Sequence, residues 1–266
     1  MKKYYQATTS VCLLILGVAT ANATAQDASP TEKGREIISQ VIARDDGFGD
    51  FRSDVEMTII DDDGGKRVRR MQVSDLEIAS GGEKRLFVFD FPRDVEGTAV
   101  LSHTQPHSEK QWIFLPAFKR VKRISSANKS SPFVGSEFSY EDLASVELEK
   151  YQYRYIRTIN NDDCDCYVVE MQPTDENSGY QKQVSYIDRE KFIFRKMEYY
   201  DREGTLLKTL RLGDYKRFID RYWRPLKLKM VNHQSKRKTL MVWSGVKYRN
   251  GYSDRDLSVT ALKRAR

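Results

Sequence analysis

Three histidines, a Gly-Ser step, a run of aspartates and a close pair of cysteines are the residue types here that could do chemistry. Their spacing argues against most of it. His103, His107 and His233 show no metal-ligand spacing and fall near turns, where a histidine is ordinarily just solvated. Gly135-Ser136 lacks the second glycine of a nucleophile elbow. Asp61-Asp62-Asp63-Gly64 opens like a calcium loop, but no closing Glu follows, and Lys66 and Arg67 continue the chain instead. That run reads as a hairpin turn. No glycine loop suited to a phosphate is present. The sequence therefore offers no catalytic set, no metal site and no cofactor site, and an enzyme is the least supported reading.

Cys164-Asp165-Cys166 remains. In an oxidising compartment two such cysteines end up bonded to each other. Residues i and i+2 of a strand lie near the upper limit of disulfide geometry, and the preceding Asn160 to Asp163 turn would tighten them. A redox-active pair is the alternative, with no Lys, His or helix start nearby to favour a thiolate. Two basic stretches also stand out. Lys119 to Lys129 carries five basic residues and no acid, and Lys216 to Lys238 carries nine against Asp220 alone. In a cytoplasmic protein nucleic acid would come first. In an exported one the partners become anionic headgroups or acidic proteins, with solvated strand faces as the plain alternative.

Export is what the first residues imply. Lys2 and Lys3 precede Val11 to Ala19, an apolar run too short to span a bilayer, and Ala23-Thr24-Ala25 has the small residues a signal peptidase reads. Residues 1–25 are accordingly predicted to be a signal peptide cleaved after Ala25, and 26–266 a single soluble domain in the periplasm. The apolar run holds Cys12, but no cysteine stands at the cleavage point, so no lipid anchor is expected. The chain has a formal net charge of +7, fifteen Tyr and twelve Phe, and only seven Pro, a composition that fits a folded β protein.

One helix is expected near the start. Ser29-Pro30-Thr31-Glu32 is a capping box with Pro at the first helical position, and Ile37, Ile38, Val41 and Ile42 share a face before Gly47. From Phe51 the period becomes two. Strands are predicted at Phe51–Ile59, Arg67–Val73, Arg85–Phe91, Thr98–His103, Gln111–Leu115, Leu148–Ile159, Cys166–Gln172, Gln183–Asp188, Phe192–Tyr200, Leu206–Leu212, Pro225–Val231 and Thr239–Val246. Serial hairpins without intervening helices make an antiparallel sheet. Ser125 to Leu143 is long for a hairpin loop and carries Phe133, Phe138 and Tyr140 among Ser and Lys, the pattern of a lid.

Several strands are apolar on both sides. Phe87, Phe89 and Phe91 oppose Leu86 and Val88, and Trp112 and Phe114 oppose Ile113 and Leu115. Such strands must be covered twice. Either the sheet is sandwiched, or it curves so that its concave side lines an apolar cavity; the pattern alone leaves both open.

The stretch from Gln111 through Ser126 (QWIFLPAFKRVKRISS), continuing through Phe133-Val134-Gly135-Ser136-Glu137-Phe138-Ser139-Tyr140-Glu141-Asp142-Leu143, resembles the outer-membrane lipoprotein-sorting-like proteins of the LolA-like superfamily. Tyr199-Tyr200-Asp201, Gly204 to Thr209, Tyr222-Trp223-Arg224-Pro225 and Val246-Lys247-Tyr248 are similar to the same family. The resemblance implies a half-open antiparallel β-barrel whose apolar concave side is covered by helices and a lid. It also implies acyl chains held there, an association with exporters of the resistance-nodulation-division type, and no catalytic residues to transfer.

The combined expectation is a periplasmic carrier or chaperone, acting as a monomer, for lipid or lipid-modified cargo. It would touch the membrane surface, hand cargo to or from an inner-membrane exporter, and bind no nucleic acid. An interaction or sensor module regulating an envelope transporter or stress pathway is the alternative. From strand faces and the central run, Phe87, Phe89, Phe91, Trp112 and Phe114 are expected to line the chamber, with Phe133 and Phe138 over its mouth. Lys119, Arg120, Lys122 and Arg123 are expected to meet headgroups or a partner, and Cys164 and Cys166 to be bonded.

Overall fold

The computed structural model describes residues 28–79, 81–161 and 164–264, together with Met1. The predicted signal peptide lies outside the described residues. Helix α1 (Pro30–Ala43) begins on the expected capping box, with Ser29 Oγ accepting from Glu32 N and the Glu32 carboxylate accepting from Ser29 N. Ile37, Ile38 and Val41 are its buried face.

Strands β1 (Asp50–Ile60), β2 (Lys66–Glu77), β3 (Glu83–Phe91), β4 (Ala99–Gln105), β5 (Ser108–Leu115) and β6 (Arg120–Ile124) come first. Short 3-10 turns fill the stretch up to β7 (Tyr151–Asn161). Then follow β8 (Cys164–Pro173), β9 (Lys182–Asp188), β10 (Phe194–Tyr200), β11 (Leu206–Phe218), β12 (Tyr222–Asn232) and β13 (Lys238–Tyr248), and a last turn of helix, α2 (Val259–Leu262). All thirteen strands form one antiparallel sheet in the order β6-β5-β4-β3-β2-β1-β13-β12-β11-β10-β9-β8-β7. Every pair of sheet neighbours is consecutive in sequence except β1 and β13, the consecutive strands β6 and β7 form the two edges, and the sheet is not closed. The structure is mainly β and open, as the family resemblance implied, with one strand, β6, beyond those predicted.

Register assigns each side chain to a face, because paired residues of antiparallel strands point the same way and adjacent rows alternate. Val73, Phe87, Val100 and Ile113 form one row across β2 to β5; Leu86, Leu101 and Trp112 form the next, on the opposite face. On the concave face Tyr153, Met171, Gln183 and Tyr199 continue across β7 to β10. The helix α1 lies on this face at the β7–β8 edge, packing Ile37, Ile38 and Val41 on Tyr153, Val169 and Met171. Gly34 allows the close approach, since a Cβ there would come within 2.7 Å of the Tyr155 backbone nitrogen.

Both sheet faces are covered, so the doubly apolar strands need no single explanation. On the convex side the chain beyond β13 folds back over β2 to β6. Asp50 accepts from the backbone N–H groups of Asn250 and Gly251 (2.6 and 3.1 Å), and Leu257 and Leu262 bury themselves against Ala99 and Leu101, with Trp112, Phe114 and Val121 alongside. On the concave side the predicted lid is packed down. Phe133 sits 5.2 Å from Phe87 and 5.7 Å from Phe89, ring centre to ring centre, within the largest core cluster.

Polar contacts pin that segment all along its length. Glu137 N donates to Thr239 Oγ1 (2.9 Å), Gln111 Nε2 to Tyr140 O (2.8 Å), Arg85 Nη1 to Leu143 O (3.2 Å), and Gly179 N to Glu141 Oε1 (3.0 Å). Asp142 is the hub. Its carboxylate accepts from Ser139 N (2.6 Å), Tyr180 OH (2.8 Å) and Lys208 Nζ (2.6 Å), and Lys208 Nζ also donates to Glu137 O (3.1 Å). Neither partner of this ion pair is solvated.

Candidate functional site: an apolar cavity with a charged rim

Between α1, the pinned segment and the concave sheet lies a cavity of about 630 Å³. Its volume falls in the range of small-molecule and cofactor pockets. The floor is apolar. Val73 and Phe87 come from β2 and β3, Met197, Leu210 and Leu212 from β10 and β11, and Leu228, Met241 and Trp243 from β12 and β13. Phe138 and Leu143 form the roof and Val41 the α1 wall. These residues alternate inward along their strands, which is why one apolar surface collects side chains far apart in the chain.

The rim is charged. Arg44 and Asp45 follow α1, Asp75 and Glu77 end the inward row of β2, Glu83 and Arg85 begin β3, and Arg224 lies near the start of β12. Arg224 pairs with Asp45, and Arg85 with both Asp75 and Glu83. Burial, with the Glu83 carboxylate adding to it, pushes Asp75 up to about 6 against the pull of Arg85. Burial likewise raises Asp46, helped by the neighbouring Glu77 and Asp45, and raises Glu147. The same desolvation lowers Arg44. Carboxylates outnumber guanidinium groups around the opening.

The aromatic residues expected at the chamber separate into three groups. Phe87 and Phe138 line the cavity. Phe89 shares their face but lies beneath Phe133, and Phe133, with no exposed surface, is packed into the core. Phe91 is 41% exposed at the outer end of β3, with the Arg70 guanidinium 4.6 Å from its ring centre. Trp112 and Phe114 are placed away from the cavity, on the convex face against the C-terminal segment. On β5 it is the alternate set with Ile113, paired with Val100, that points inward.

Lys119, Arg120, Lys122 and Arg123 occupy the β6 edge and the turn before it, with no ion-pair partner among the described residues. They begin at the end of the sheet remote from the rim: Phe114 pairs with Ala99 at the start of β4, whereas Glu83 pairs with Thr104 near its finish. Phe118 beside them is 66% exposed. The sulfurs of Cys164 and Cys166 lie against each other at the start of β8, their Cα atoms 5.4 Å apart. His103, His107 and His233 do not converge, and among the described residues no group of three His, Cys, Asp or Glu could hold a metal ion.

Among solved structures, a domain from Vibrio parahaemolyticus described as an outer membrane lipoprotein-sorting protein aligns with 44% identity and a TM-score of 0.86, covering 88% of this chain and all of that one. The chain belongs to the outer-membrane lipoprotein-sorting-like family. A member of the DUF1329 family from Desulfovibrio piger aligns at 26% identity and a TM-score of 0.83, over 88% of this chain and all of that one. A LolA superfamily protein from Nitrosomonas europaea shares the fold at 23% identity, with a TM-score of 0.69 over 86% and 98% of the two chains. A family model described as "-like: Uncharacterized protein" matches residues 81–264. No curated protein matches. The matched residues take in the pinned segment and most of the cavity floor, so the family features and the cavity are largely the same stretch of chain.

Rim residues Arg44, Asp45, Asp75, Arg85 and Arg224 escape sequence reasoning. A signal exists for two of them. Asp75 continues the inward parity of Met71 and Val73, and Arg85 that of Phe87 and Phe89. A charged residue in an otherwise apolar row marks a place where the buried face becomes a polar site.

Proposed function

We propose that this protein is a periplasmic carrier or chaperone that holds the acyl chains of a lipid or lipid-modified cargo in the apolar cavity. The observation that carries this reading is the cavity of about 630 Å³ with an apolar floor and a charged rim. Burying an acyl chain contributes roughly 0.8 kcal/mol per CH₂, so the floor needs no specific polar contact to bind. Membership of a lipoprotein-sorting-like family and the sequence features of an export signal support the compartment and the class of cargo. Exchange with an inner-membrane exporter, by a monomer, completes the proposal.

Leu228→Trp tests it, because the larger side chain would occupy the floor. Purified wild-type protein should bind a fluorescent fatty acid, and the variant should bind it at least tenfold more weakly while melting at a similar temperature. Failure of the wild type to bind any acyl probe would sink the carrier and leave the interaction or sensor module.

The free basic edge suits an anionic membrane surface or an acidic partner. Reversing Lys119 and Arg123 should weaken binding to anionic vesicles and flatten its salt dependence, since exposed charges are screened over about 8 Å at physiological ionic strength. Unchanged binding would leave a merely solvated strand. Cys164 and Cys166 are bonded in this reading, their Cα separation lying within the span of a disulfide. Alkylation without reductant should leave the intact mass unchanged; two added labels would reopen a redox role.

A further inference from the structure

Among the charged rim residues with buried atoms that lack a hydrogen-bond partner, Asp75 and Arg44 are of opposite character. Asp75 has no exposed surface. Its Oδ1 is taken by Arg85, while its Oδ2 is buried without a partner. Arg44, the residue capping α1, spends Nη2 on the Trp223 carbonyl at 3.3 Å and on a long ion pair with Asp45 Oδ1 at 3.9 Å, while Nε and Nη1 are buried without hydrogen-bond partners. Both residues line the cavity. Arg224, paired with Asp45, hydrogen-bonds to neither.

Leaving a buried donor or acceptor unpaired costs about 1–3 kcal/mol, more when it is charged, and folded proteins keep few of them. Here an acceptor on β2 and two donors at the end of α1 belong to residues that line one cavity with an apolar floor. Asp75 Oδ2 calls for an N–H or O–H donor, and the excess of carboxylates around it favours a positive one. Arg44 calls for an anion.

We propose, building on the carrier reading, that the rim receives a zwitterionic headgroup of the phosphoethanolamine type, its primary ammonium donating to Asp75 and its phosphate accepting from Arg44, while the acyl chains occupy the floor. A quaternary ammonium satisfies only Arg44, because it has no N–H. A glycerol headgroup brings the phosphate without a compensating positive charge.

Three phospholipids with identical acyl chains, bearing ethanolamine, choline or glycerol headgroups, are to be competed against a fluorescent fatty acid on the full-length secreted protein. The ethanolamine lipid should displace the probe about tenfold better than the other two, the order expected for one charge-assisted hydrogen bond. Asp75→Asn should remove that preference. Arg44→Gln serves as the second variant in case Asp75→Asn does not fold. It should weaken all three phospholipids together by about tenfold and leave a long-chain primary amine unaffected. Equal displacement by the three lipids in the wild type would overturn the headgroup assignment, with water alone filling the rim, and leave the carrier intact. Absence of binding by every acyl compound would instead overturn the carrier reading itself.

Discussion

Replacing Lys208 with methionine is expected to lower the stability of the fold by about 3–5 kcal/mol, the usual cost of removing one partner from a buried ion pair. Lys208 and Asp142 are both almost fully buried. Without the ammonium, Asp142 keeps the donors Ser139 N and Tyr180 OH but loses its cation, and a carboxylate so placed has no water to take over. The methionine would fill roughly the same volume, so the loss would report the charge and not a hole. A second substitution provides the check. Adding Asp142→Asn to Lys208→Met removes the stranded charge, and the double variant should recover part of the loss, a coupling that independent sites would not show. Urea denaturation of the wild type, the Lys208→Met and Asp142→Asn single variants and the double variant measures it. A Lys208→Met loss below about 1 kcal/mol would mean that the segment from Glu137 to Leu143 is not held by this pair. The pair matters for function because the same segment roofs the cavity through Phe138 and Leu143.

How far this was legible in the sequence depends on which interactions set each element. The α1 start is local: Ser29, Pro30 and Glu32 fix it within one turn of chain, and the structure has it there. The strands with alternating faces were equally readable. The edge strand β6 was not, because Arg120-Val121-Lys122-Arg123-Ile124 offers only two apolar residues and exists by pairing with β5. Charged edges of this kind discourage pairing with other chains, and they hide a strand from a hydrophobic pattern.

The harder failure is β5. Trp112-Ile113-Phe114-Leu115 is apolar at every position, so no pattern within the strand says which pair faces inward. The register with β4 decides it, and that register is a contact between strands. Size misleads as well. The tryptophan and phenylalanine went to the convex side because Leu257 and Leu262, more than 140 residues downstream, cover them there. The rim was missed for a related reason: Asp75 and Arg85 look like solvent-facing strand charges until the neighbouring rows show that their side is the buried one.

Phe133→Ala separates a fixed roof from a moving one. Expected from its position is a stability loss of about 3–5 kcal/mol, the range for truncating a large buried aromatic. Phe133 has no exposed surface, packs against Phe87 and Phe89, and stands 5.9 Å from the Tyr140 ring in an edge-on arrangement. Val134 beside it adopts a positive φ of 45°, a conformation that a β-branched residue takes only when its surroundings hold it there. Backbone pairing adds to the constraint, since Phe133 N donates to Phe138 O at 2.7 Å. These contacts make the aromatic a structural anchor joining the segment to β3. Phe91→Ala, on the same strand but exposed at its end, should cost well under 1 kcal/mol and serves as the control. Thermal and urea melts give the stabilities, and stopped-flow release of a fluorescent fatty acid gives the ligand kinetics. A small stability loss for Phe133→Ala together with much faster release would mean that the segment swings open as a lid. A large loss with release changed only in proportion to unfolding would place the entrance elsewhere, at the charged rim between α1 and β3, where cargo can enter without lifting the roof.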